Sequence, residues 1–77
     1  MSEWHIEMDM FDVRRTMRFT IVATCLSKAK QAVLQEFRKY SPSPRNLYLE
    51  ARGDGVYTVV SHLADVGQVT FQRIDDR

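Results

Sequence analysis

The spacing of apolar residues changes twice along this chain, and that change does most to limit the folds open to it. Trp4, Ile6, Met8 and Met10 alternate with His5, Glu7 and Asp9, and Met17, Phe19, Ile21 and Ala23 alternate with Arg18, Thr20 and Val22. A period of two is that of a strand with one buried face. A loop at Asp12 to Arg15 would close the two stretches into a hairpin. Met10 then faces Met17, Met8 faces Phe19, Ile6 faces Ile21 and Trp4 faces Ala23. The same register sets Asp9 opposite Arg18, an outer-face pair contributing roughly 0.2–1 kcal/mol. From Ala29 the period lengthens: Ala29, Val33, Phe37 and Tyr40 share one helical face, with Lys28, Gln31, Gln35, Arg38 and Lys39 on the other. Ser27 is the expected N-cap, and Ser41-Pro42-Ser43-Pro44 stops the helix, because proline has no amide hydrogen and restricts the residue before it.

Two strands, Asn46–Arg52 and Val56–Leu63, follow, joined at Gly53-Asp54-Gly55. A loop of two or three residues fits equally, so either Tyr57, Val59 and Leu63 or Val56, Thr58 and Val60 face the core. After a turn at Ala64-Asp65-Val66-Gly67, a last strand Gln68–Ile74 puts Val69 and Phe71 on one face. The expected fold is α+β, with element order β-β-α-β-β-β: a single antiparallel β-sheet with one α-helix packed on one face.

With 77 residues the chain is one domain, 1–77, and its 44% hydrophobic content suffices for a core. A core of this size leaves a margin of only about 3–5 kcal/mol without staples. The single cysteine, Cys25, cannot form an internal disulfide, so oligomerisation, as a homodimer for example, or binding to a partner is expected. One thiol fits a reducing compartment. No apolar run resembles a signal peptide or approaches the about 20 residues of a membrane span. The sequence therefore reads as a complete cytoplasmic product from Met1 to Arg77, without membrane attachment.

Charge is segregated although it nearly cancels overall at +1. Glu3, Glu7, Asp9 and Asp12 give residues 1–13 a charge of −4. Residues 14–52 set nine bases against Glu36 and Glu50, or +7, and the remainder returns to −2. Such polarity steers a small protein toward a charged partner. The candidate partner contacts are Arg14 and Arg15 at the tip of the first hairpin, where adjacent guanidinium groups suit a carboxylate or phosphate, and Lys28, Arg38 and Lys39 on the polar face of the helix. The plain alternative for each is a solvated basic surface. Trp4, Tyr48 and Tyr57 would form a stacking platform for single-stranded nucleic acid if they shared an exposed face.

Chemistry is poorly provided for. Cys25 sits before the helix, where the dipole and Lys28 favour a thiolate, but His5 and His62 belong to separate strands and nothing supplies an oxyanion hole. Two histidines and one cysteine are too few and too scattered for zinc. Arg52-Gly53-Asp54 reads as hairpin-turn chemistry rather than as an adhesion tripeptide. No catalytic residue, cofactor or metal ligand is assigned, and the chain is read as not an enzyme.

The stretch Phe19-Thr20-Ile21-Val22-Ala23-Thr24-Cys25-Leu26-Ser27-Lys28-Ala29-Lys30, a strand passing through small residues into a helix, followed by glycine-punctuated strands, resembles the small phage-encoded anti-CRISPR inhibitors of type I systems, in which a curved antiparallel sheet wraps one helix. The similarity covers residues 17 to 75 and carries no site motif. It implies a stoichiometric inhibitor, of phage or mobile-element origin, whose partner is a host protein or ribonucleoprotein: the RNA-guided CRISPR surveillance complex, kept from engaging target DNA. The alternative from the residues themselves is a small nucleic-acid-binding protein using the basic helix face and hairpin tip.

Overall fold

Alternating residues build strands wherever one face has something to cover it, and here the helix supplies the cover. The computed structural model describes residues 2–41, 46–62 and 64–74. Strands β1 (Ser2–Met10) and β2 (Arg15–Ala23) form the first hairpin, α1 (Leu26–Tyr40) crosses over, and β3 (Leu47–Gly53), β4 (Val56–Ser61) and β5 (Ala64–Ile74) complete one sheet in the order β2-β1-β5-β4-β3. Every neighbouring pair is antiparallel. The fold is therefore α+β, in the expected element order and with the helix against the sheet.

The core lies between α1 and that face. Ile6, Met8 and Met10 of β1, Val59 of β4 and Val69 of β5 are fully buried beneath Ala29, Val33 and Phe37 of the helix. Tyr57 and Phe71 meet edge to face, with ring centroids 5.4 Å apart and planes at 86°, the arrangement the ring quadrupoles favour. Phe37 lies against Gly67: a side-chain carbon on that glycine would come within 2.7 Å of its ring.

The first hairpin keeps its faces but slides by two residues. Met8 pairs with Met17, Ile6 with Phe19 and Trp4 with Ile21, while Asp9 faces Thr16 and Arg18 faces Glu7. The loop is Phe11 to Arg14, one position earlier than expected, and Arg14 takes the left-handed conformation with φ 53°. Because the shift is even, Trp4, Ile6, Met8 and Met10 and Met17, Phe19, Ile21 and Ala23 all stay on the core side. The Asp9–Arg18 pair is replaced by an Arg18–Glu7 ion pair of 3.3 Å and a Thr16 hydroxyl that donates to Asp9 at 3.1 Å.

Other boundaries move for local reasons. Helix α1 begins at Leu26 and its N-cap is Cys25, not Ser27; starting there lets Leu26 join the stripe that packs on the core. Tyr40 leaves the core and is 38% exposed, because its last-turn position meets Arg15, the polar first residue of β2, with the guanidinium carbon 5.3 Å from the ring centroid. The expected Ala64–Gly67 turn is the start of β5, since the reversal is made at His62, φ 51°, and a bulge falls between Val59 and Val60. At the β3–β4 hairpin Gly53 pairs with Val56, leaving a two-residue loop of Asp54 and Gly55, with Gly55 at φ 71°. Tyr57 and Val59 consequently face the core. Leu63 and the segment 42–45, with its two prolines, lie outside the described residues.

Candidate interaction surface

Two ties gather the tip of the first hairpin and the end of α1 into one surface, and a third fixes the loop to β5. The Ser41 hydroxyl donates to Asp12 Oδ2 at 2.7 Å, the Arg15 guanidinium stands over Tyr40, and the Phe11 amide donates to the Val66 carbonyl at 2.9 Å, extending the β1–β5 pairing into the loop. The surface carries Arg14, Arg15, Arg38 and Lys39, opposed by Asp12 and Glu36. Phe11 and Val13 emerge beside them, 46% and 38% exposed, as does Tyr40. Arginine and aromatic side chains, the residue types enriched at interface hot spots, are exposed together here.

Not all these charges are equally available. Lys39 Nζ sits 2.7 Å from Glu36 Oε1, and that carboxylate raises the lysine pKa. Arg15 is committed to Tyr40. Among the described residues, Arg14 and Arg38 make no ion pair. Of the five cations singled out in the sequence, four therefore share one end of the molecule. Lys28 does not: it lies in the first turn of α1, ten residues before Arg38, which is about 15 Å along the axis.

At the Lys28 end, Cys25 is exposed. The backbone amide of Lys28 lowers its thiol pKa most; burial opposes it, and Thr24, Ser27 and the Lys28 charge add to the lowering. His5 lies within β1 opposite Thr20, and His62 at the turn after β4, so neither strand position brings an imidazole to the sulfur by pairing. Among the described residues, no three His, Cys, Asp or Glu side chains gather as a metal site.

The acidic first strand is spread over the open face, away from the helix: Glu3, Glu7 and Asp9 alternate with the buried Ile6, Met8 and Met10. The aromatic platform does not form. Trp4 and Tyr57 point to the helix side while Tyr48 points to the open side. Moreover, Lys30 Nζ sits 4.4 Å from the Tyr57 ring centroid and the Arg73 guanidinium carbon 6.0 Å from that of Trp4. Arg52 is held by hairpin contacts, donating to Thr58 Oγ1 at 2.9 Å and pairing with Glu50 at 2.8 Å, which matches the turn reading of Arg52-Gly53-Asp54.

Phe11, Val13 and Tyr40 are the surface residues that sequence reasoning missed. One signal was present, the adjacent apolar pair Met10-Phe11, where the alternation breaks and only one of the two can stay on the buried face. No helix among the described residues is long and apolar enough to cross a membrane. Comparison with protein-family models, curated proteins and solved structures finds no match to this chain.

Proposed function

We propose that the chain is a non-enzymatic binding module that acts in the cytoplasm as an inhibitor, docking on a host RNA-guided surveillance complex of the CRISPR type and keeping it from target DNA. The observation that supports binding is the joint exposure of Phe11, Val13 and Tyr40 with Arg14, Arg15, Arg38 and Lys39 at one end of the sheet. Apolar anchors supply the lasting contact, and the guanidinium groups steer the encounter toward an acidic protein or ribonucleoprotein surface. The choice of partner rests on the resemblance of the strand-to-helix segment from Phe19 to Lys30.

Direct binding of nucleic acid through the same cations is less well served. Two of the three candidate stacking rings, Trp4 and Tyr57, already lie under a cation of the chain itself, so sequence-tolerant base stacking has little to use. A type I surveillance complex titrated with the parent chain and with a Phe11→Ala, Arg14→Glu double variant provides the test, at two ionic strengths. The double variant should bind at least tenfold more weakly, and the parent complex should weaken moderately with salt. Equal binding by the folded double variant would remove this end from the contact. Tight binding of DNA or RNA alone, falling steeply with salt, would transfer the function to the nucleic-acid reading.

A further inference from the structure

Among the described residues β2 is an outer strand hydrogen-bonded to β1 alone, so along its nine residues every second set of backbone groups points away from the sheet. Its two arginines do not guard that edge. Arg18 reaches back over the sheet to Glu7, and Arg15 lies over Tyr40. Beyond them, Phe19 to Ala23 contains no charge, proline or glycine. Met17, Phe19 and Ile21 are only partly covered, whereas Ile6 and Met8 on the neighbouring strand are fully buried. Val22, on the open face, is 61% exposed. The opposite edge is built otherwise: β3 is bulged between Ala51 and Gly53 and carries the Glu50–Arg52 ion pair, both devices that discourage strand addition.

We propose that β2 pairs antiparallel with β2 of a second copy about a two-fold axis at Thr20, joining two five-stranded sheets into one. The strand's own pattern fits a second copy of itself and sets the register. Residues opposite each other share a face, so a symmetric pair needs position numbers with an even sum; otherwise the apolar face of one copy continues as the polar face of the other. Centring on Arg18 would set two guanidinium groups opposite one another, and centring on Phe19 would leave them diagonal neighbours. Centring on Ile21 sends Met17 to Cys25, past the end of β2. Centring on Thr20 pairs Phe19 with Ile21, Met17 with Ala23 and Arg18 with Val22, keeps the charges apart and sets threonine against threonine, a favourable cross-strand pair.

Sedimentation velocity on the purified chain at high micromolar concentration tests this pairing. The parent should sediment with twice the mass of one chain. Thr20 is exposed, so Thr20→Arg should keep the circular dichroism spectrum and the melting curve while weakening self-association more than about tenfold, since it places like charges on the axis. Tyr48→Arg, on β3, should leave the dimer intact. Thr20→Cys in a Cys25→Ser background should form an interchain disulfide, because opposite residues stand about 4.5–5.5 Å apart at Cα. A parent that stays a single chain overturns the proposal, as does a dimer that survives Thr20→Arg or gives no Thr20→Cys crosslink. If the parent is a single chain and Thr20→Arg instead abolishes its binding to the surveillance complex, the edge takes a partner's strand and self-pairing is wrong.

Discussion

Replacing Gly67 by alanine probes the contact between helix and sheet more sharply than deleting a core side chain. The added carbon would stand 2.7 Å from the main-chain oxygen of Asp9 and 2.7 and 2.9 Å from Cε2 and Cζ of Phe37. Carbon contacts are most favourable near about 3.5–4.0 Å, so three atoms are approached about 1 Å too closely at once. The Asp9 oxygen belongs to the β1–β5 ladder, where Met10 faces Gly67, and cannot retreat without stretching backbone hydrogen bonds. The Phe37 ring is fully buried and can move only by lifting the end of α1. Overpacking costs about 1–3 kcal/mol, and a clash with both backbone and a packed ring belongs in the upper half of that range. Each kcal/mol moves the melting midpoint of so small a domain by about 4–8 °C, so Gly67→Ala should lower it by about 10–20 °C in a thermal scan followed by circular dichroism. Adding Phe37→Leu removes the ring atoms but not the Asp9 contact. The double variant should therefore be less damaged than the sum of the two, with a coupling of about 0.5 kcal/mol or more from urea denaturation. A Gly67→Ala midpoint within about 2 °C of the parent, or strict additivity with Phe37→Leu, would refute this account of the contact.

Phe37→Ala should cost about 3–5 kcal/mol, most or all of the margin, and a near-parental melting curve would show that α1 does not pack as described. The lowered pKa of Cys25 means that its thiolate, the reactive form, is present at lower pH than in a free thiol. Iodoacetamide alkylation should thus rise with a midpoint below that of a cysteine in an unstructured peptide; a midpoint at or above it would remove the influence of the Lys28 amide.

How far the fold could be read depended on whether a residue's neighbours in sequence decided its place. The alternation of β1 and β2 and the Ala29, Val33, Phe37 stripe are such local matters, and these residues lie on the expected faces. Register was not: sliding the first hairpin by two leaves every side chain on its face, so hydrophobic pattern alone cannot separate Met10–Met17 from Met8–Met17. What distinguishes them is the left-handed turn at Arg14, a conformation for which arginine gives no cue. The start of β5 was hidden because Ala64-Asp65-Val66-Gly67 has turn composition, while the reversal is made by His62. Gly67 has the composition of a turn residue, although its place is set by Phe37, thirty positions away and on another element. The basic end shows the same division: Arg14 and Arg15 were visible as a pair, but their company with Arg38, Lys39 and Tyr40 depends on where the helix ends in space.

The strand order has a kinetic side. β5 stands between β1 and β4 and pairs with both, so Glu3 meets Ile74 across 71 positions of chain. Until β5 takes its place, the hairpins β1–β2 and β3–β4 share no ladder, and a lone two-stranded hairpin is at best marginal in water. The β1–β5 ladder therefore requires the longest closure among the pairings before it can be rewarded, whereas β4–β5 closes through the short turn at His62. Neither hairpin should persist as a stable intermediate, and a nascent chain should stay open to proteases until β5 has been synthesised and seated.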